Sequence, residues 1–241
     1  MAWPDFSELT FAFAYLRELE ALKGTYDDLP DFISQAVEAD AGYDAAIAQG
    51  GIITFIQFKR SEVMTRSSAK ELASAAFATA PVFRMHLHRR NSFGQHVALQ
   101  ALEAAGYPVL YVTSAAKNRS QLVKQAQSQS VLASSVTFLP SEIVLPDLTD
   151  DHHVSFGPGA PFKIVYSDQG QRSQRKIDGP DALSSWLEQH RRSGEANRQM
   201  LTRFVAERMP KHLRSRKSEN LLAQARFIAR MRYDLELVLL K

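Results

Sequence analysis

There is no cysteine anywhere in these 241 residues. That excludes disulfides, thiolate zinc sites and a cysteine nucleophile, and it suits a reducing cytoplasm, the expected location. No apolar run reaches the roughly 18–20 residues that a bilayer-spanning helix needs, so no membrane partner is expected. The opening residues, Met1 to Asp5, offer neither a basic segment nor an apolar one, so no secretory leader is expected. Net charge is small, +3, and internal repeats and low-complexity tracts are missing.

What is there is the composition of a folded protein, 45% hydrophobic and 23% charged, long enough for one sizeable α/β core and a smaller appendage. The charge is unevenly placed. From Arg172 onward there are 16 basic and 8 acidic residues, whereas residues 1–171 hold 13 basic and 18 acidic ones. An acidic first part with a basic tail is consistent with metal binding in the former and phosphate contact in the latter; solvated basic helices are the plainer account.

Apolar residues at helical spacing predict a helix from near Asp5 to Lys23, closed by Gly24, with Asp5 and Glu8 as a capping box. Two strands are expected next, Tyr43–Ala48 and Ile52–Lys59, joined through Gln49, Gly50 and Gly51 as a hairpin. Helix and strand then alternate: helical Ser68–Thr79, extended Val82–His88, helical Gly94–Ala105, extended Pro108–Thr113 and helical Asn118–Ser130. β-rich stretches follow at Val131–Leu139 and His152–Phe156, and Phe162–Tyr166 reads as an edge strand. This order predicts an α/β fold with one mixed sheet flanked by helices over residues 1–167. Asp168–Gly179 reads as a linker, and residues 180–241 as a basic helical region built from Asp181–Arg192, Glu195–Arg208 and Ser218–Leu239.

The chemistry concentrates in Gly42, Tyr43 and Asp44, followed by Phe55, Ile56, Gln57, Phe58 and Lys59. Residues two apart on a strand share a face, so Gln57 and Lys59 project together, and a hairpin would bring Asp44 alongside. A lysine on an otherwise apolar strand calls for a partner, because a buried unpaired ammonium is costly. Magnesium is a hard cation that takes oxygen ligands, which the Asp44 carboxylate and the Gln57 amide carbonyl would supply. Lys59 would orient water and offset charge on a phosphate. A further acid is needed, with Glu8, Glu38 and then Glu18 as candidates. Glu8 serves equally as a cap, and Glu38 equally as a solvated loop acid.

A helix with an acid, then Gly-Tyr-Asp, then Gln-x-Lys resembles the PD-(D/E)xK nuclease superfamily in its D…QxK form. The resemblance rests on motifs over about the first 60 residues and on element order beyond them. It implies a restriction-endonuclease-like fold, metal ligation by Asp44 and Gln57, and a catalytic role for Lys59. The helix acid maps to Glu8 or Glu18. It also implies a magnesium-dependent DNA endonuclease (manganese as substitute, RNA as an alternative substrate) acting in bacterial antiviral defence. Homo-oligomers or a partner defence subunit come with the same resemblance. The literal Pro-Asp before the strand is missing and Gln replaces the usual acid, so a catalytically inactive nucleic-acid-binding or scaffold subunit is the competing expectation.

Gln95, at the start of the helix after the third strand, is a candidate substrate contact, and a locally satisfied helix N-terminus is the plainer account. His86 and His88 make a His-x-His pattern without a third zinc ligand at a suitable spacing, so partly buried histidines are expected. His152 and His153, beside Asp150 and Asp151, read as a turn entering a strand. Lys211, His212, Arg214, Arg216 and Lys217 place five cationic groups in seven residues, a salt-sensitive phosphate grip or a solvated loop. The apolar stripe of the last helix packs on the core or on a second subunit.

Overall fold

Phe11, Ala12, Tyr15, Leu16 and Leu19 recur at helical spacing, and in the computed structural model they form the buried face of α1, Glu8–Lys23. The structure describes residues 3–23, 31–32, 45–46, 52–73, 77, 79–87, 96–97, 99–101, 103–106, 109–145, 151–157, 162–167, 172–176, 199, 202–203, 206 and 236–240. The cap of α1 is Ser7 rather than the expected Asp5: the Thr10 amide donates to Ser7 Oγ at 3.0 Å. Asp5 instead accepts from the amide of Arg119, at the start of another helix.

β1 (Asp31–Phe32) and β2 (Ala45–Ala46) pair with each other in antiparallel fashion. β3, Ile52–Lys59, has a neighbour on each side, so it is central as expected, but neither neighbour is the strand before it. The predicted hairpin from 43–48 to 52–59 is therefore corrected. Parallel β6 (Val109–Ser114) takes one edge of β3 and antiparallel β11 (Glu236–Leu240) takes the other. Residues 236–240 were expected to lie largely within the last helix. Their run Leu237 to Leu240 suits a strand once a sheet edge is offered, a context that helical periodicity does not see.

β3 passes through Arg60 straight into β4, Ser61–Met64, which belongs to a different sheet. The single mixed sheet is corrected accordingly. A four-stranded mixed sheet runs β11-β3-β6-β7 and a wholly antiparallel five-stranded one runs β10-β9-β8-β5-β4. Helix α2 covers Lys70–Ala73, and bends stand at 77, 79 and 80 where a helix to Thr79 was expected. β5 is Val82–Leu87. Helical positions follow at 96–97, 99–101 and 103–104, ending at Gly106, whose φ of +84° suits the residue without a Cβ. Helix α3, Arg119–Gln127, is capped by Asn118, whose side chain accepts from the Gln121 amide at 2.9 Å.

The stretch 131–139 splits into α4 (Val131–Ser134) and β7 (Ser135–Phe138). β8 spans His152–Phe156, so both histidines are strand residues rather than a turn. β9 (Phe162–Ser167) is not an edge, because β10 (Arg172–Lys176) pairs with it inside the expected linker. Among the described residues no helix is long and apolar enough to cross a membrane.

One core lies between α1 and the four-stranded sheet. Phe58 meets Phe11 and Tyr15 edge-on, at ring separations of 5.9 and 5.6 Å, with Ile56, Leu110 and Val112 around them. The two sheets touch through Phe138 of β7 and Phe156 of β8, 5.8 Å apart.

Candidate functional site

Because Ile56 and Phe58 pack toward α1, strand alternation turns Gln57 and Lys59 to the opposite face of β3. Their register partners there are Tyr111 and Thr113 of β6. Gln57 is buried, and its amide nitrogen donates to the Phe58 carbonyl at 3.0 Å, which fixes the plane of the amide. Lys59 is half-buried rather than fully buried, as a residue at the last position of a strand can be. Its carbonyl accepts from the Thr113 hydroxyl at 2.8 Å, and the Ser61 hydroxyl in turn meets Thr113 Oγ1. The exit of β3 is thus held by main-chain and hydroxyl bonds.

Glu8 reaches the same exit from the first turn of α1. Its Oε1 accepts from the Arg60 amide at 2.8 Å, so it is not the cap of its own helix. Arg60 also donates from Nη1 to the Phe6 carbonyl at 3.2 Å and lies over the Trp3 ring, 4.6 Å from its centroid. The start of the chain is thereby pinned to the point where β3 becomes β4. Glu18, the other acid on α1, is buried and accepts from the Val131 amide at 2.6 Å and the Leu132 amide at 3.3 Å. It caps α4, and its candidacy as a metal ligand is withdrawn on that ground.

Asp44, Glu38, Gln95, His88, Lys211, Arg214, Arg216 and Lys217 lie outside the described residues. β2, which follows Asp44 in the chain, neighbours α1 and β11. Among the described residues no group of three or more acidic or histidine side chains is placed to hold a metal ion. Glu8 and Gln57 offer oxygen donors of the kind magnesium takes, and a complete ligand set would need Asp44 as well.

A second polar cluster was not anticipated. On β4, β5 and β8 one face is mainly apolar (Val63, Phe83, Met85, Val154 and Phe156, with Ser61 and His152 at its end), and the other carries Glu62, Arg84, His86, His153 and Ser155. Register sets Glu62 beside Arg84, Arg84 beside Ser155, and His86 beside His153. Glu71 of α2 closes over this row with no exposed surface. It accepts from Arg84 at 2.8 to 2.9 Å and from the Ser155 hydroxyl at 2.9 Å, with His153 Nε2 3.4 Å away. Burial alone would raise the pKa of Glu71, but His153, a backbone amide and Arg84 together hold it at about 2. Burial lowers the pKa of His153 below its ordinary value and outweighs the carboxylate next to it. The sequence signal for this cluster was the alternation in Phe83, Arg84, Met85, His86 and Leu87, which sets polar groups on every second position.

His86 Nε2 lies 2.9 Å from Glu62 Oε2, and its ring sits 5.5 Å from that of Trp3. His96 is buried and bonded through both ring nitrogens. Its Nε2 donates to the Ile143 carbonyl at 3.0 Å, which leaves Nδ1 to accept from the Tyr111 hydroxyl at 3.2 Å. Burial lowers the pKa of His96 and raises that of Tyr111, so both are neutral at pH 7.

No protein-family model, curated protein or solved structure matches this chain.

Proposed function

We propose that the chain is a magnesium-dependent endonuclease of the PD-(D/E)xK type, acting on DNA in bacterial antiviral defence. The observation that carries this reading is the bond from the Arg60 amide to Glu8, which brings an acid of the first helix to the lysine end of the Gln-x-Lys strand. The order of helix acid, Asp44 and Gln57-x-Lys59 supports it from the sequence side.

In this reading Asp44 and Gln57 would hold the cation through oxygen atoms, with Glu8 and Glu38 as the candidates for a further acid. The bound cation would polarise the phosphoryl group and lower the pKa of water. The Lys59 ammonium orients the attacking water and offsets charge on the phosphate as it builds. A water oxygen bonds to phosphorus, one P–O ester bond breaks, and a proton moves to the departing alkoxide. Gln95 contacts the substrate near the site. The basic segment Lys211, Arg214, Arg216 and Lys217 grips phosphates without regard to sequence.

The test is incubation of supercoiled plasmid with the purified chain in magnesium, manganese or EDTA, alongside Asp44→Ala and Lys59→Ala. Nicking or linearisation is expected with either metal, and in neither variant. Cleavage that persists in EDTA, or at the parent rate in Lys59→Ala, overturns the reading, and so does intact plasmid in every lane.

A further inference from the structure

Trp3 is 46% exposed, yet its neighbours in the chain, Pro4 and Phe6, are both buried. The indole is therefore held in place at the surface rather than carried on a fraying end. Arg60 stacks a guanidinium on its ring, and His86, tilted by 40°, borders it at 5.5 Å. Each of these two groups is anchored in turn. Arg60 is fixed by the Phe6 carbonyl and by Glu8, and His86 by Glu62. A half-exposed aromatic ring beside a cation and an imidazole, each bonded in place, matches what unpaired nucleotides require. The base stacks on the ring and the backbone phosphate meets the positive group. Bases in a duplex keep their faces inside the stack and cannot use such a surface.

Arg60 also ties this patch to the site proposed above, since the residue that stacks on Trp3 is the one whose amide binds Glu8 and whose chain neighbour is Lys59. We propose that Trp3, Arg60 and His86 form a stacking subsite for an unpaired nucleotide at the mouth of that site. The substrate strand is then single-stranded or locally opened where it is cut. The inference rests on the reading of the site as one that acts on nucleic acid.

The chain has two tryptophans, so Trp186→Phe leaves Trp3 as the sole indole reporter. The full-length variant is titrated in EDTA, where no turnover is required, with an oligothymidylate of about 20 nucleotides and with a blunt duplex of the same length. Saturable quenching of Trp3 fluorescence by the single strand is expected, with clearly weaker quenching by the duplex. In the Trp186-containing chain, Trp3→Ala should weaken single-strand binding about ten-fold by fluorescence anisotropy of a labelled oligonucleotide, and Trp3→Phe should restore most of it. Flat Trp3 fluorescence, equal quenching by the duplex, or unchanged affinity in Trp3→Ala each overturns the subsite. Plasmid cleavage without quenching removes the subsite and keeps the nuclease. Quenching without any cleavage keeps the subsite and removes the nuclease.

Discussion

Arg84 sets its Nη2 2.8 Å from Oε1 and 2.9 Å from Oε2 of Glu71, at a position where the carboxylate has no exposed surface. Neither charge reaches water easily, so each depends on the other. Replacing Glu71 with Leu alone strands the guanidinium and should cost about 3–5 kcal/mol in urea unfolding. The double variant Glu71→Leu with Arg84→Met should recover much of that loss, because neither member of the pair is then left buried without the other. If the double variant is as unstable as the sum of the singles, the pair is not the coupled unit described.

The same cluster, together with His96, sets an acid limit on the fold. His96 and His153 are held below the ordinary histidine value of 6.5, chiefly by burial. As pH drops below 6.5 the unfolded chain takes up these protons first, and stability falls. Glu71 works lower down: its folded value is about 2 against an ordinary 4.5. Stability that is present above pH 4.5 is therefore lost as pH falls toward 2. Thermal melts from pH 8 to 3 should show Tm declining in two stages, and Glu71→Gln should flatten the lower one. A Tm that stays level from pH 7.5 to 5 would contradict the histidine stage.

The elements legible in the sequence were those whose pattern is local. α1, β5, β6, α3 and β8 lie close to their expected places, because each carries its own periodicity, cap or β-branched run. β3 was recognisable as a central strand for the same reason, though not its partners. Pairing of β11 with β3 joins residues 236–240 to 52–56, and nothing local in Leu237 to Leu240 announces which edge will accept them. The hairpin expectation failed similarly: two glycines permit a tight turn but do not require the flanking strands to pair. In the candidate site, the alternation of Gln57 and Lys59 was readable. That Glu8 would bind a main-chain amide 52 residues away, and Glu18 cap a remote helix, depends on tertiary packing alone.

Lys59 separates an active site from a structural ion pair. In the proposed nuclease, Lys59→Ala should lower the cleavage rate by about 10²–10³, the range seen when one charge-stabilising group is removed. Its unfolding midpoint should stay within about 1 kcal/mol of the parent, as expected when a group serves function rather than stability. A buried structural pair would behave in the reverse way, losing about 3–5 kcal/mol on truncation. Parallel measurement of plasmid cleavage and of urea unfolding on the same preparation decides between them.

Glu8 and Glu18 sit on one helix and make opposite demands on the same experiment. Glu18 is committed to the Val131 and Leu132 amides, so Glu18→Ala should cost about 1–2 kcal/mol as a lost helix cap and leave the magnesium requirement unchanged. Glu8 binds one amide at the end of β3 and is the acid proposed to share the cation. Glu8→Gln keeps an oxygen for the Arg60 amide while giving up the charge. It should therefore unfold near the parent midpoint but need about ten-fold more magnesium for half-maximal cleavage, the loss typical of a weakened metal site. Should Glu8→Gln leave the magnesium titration curve where it was, Glu8 is an anchor for Arg60 and the further ligand must be sought elsewhere, with Glu38 next in line.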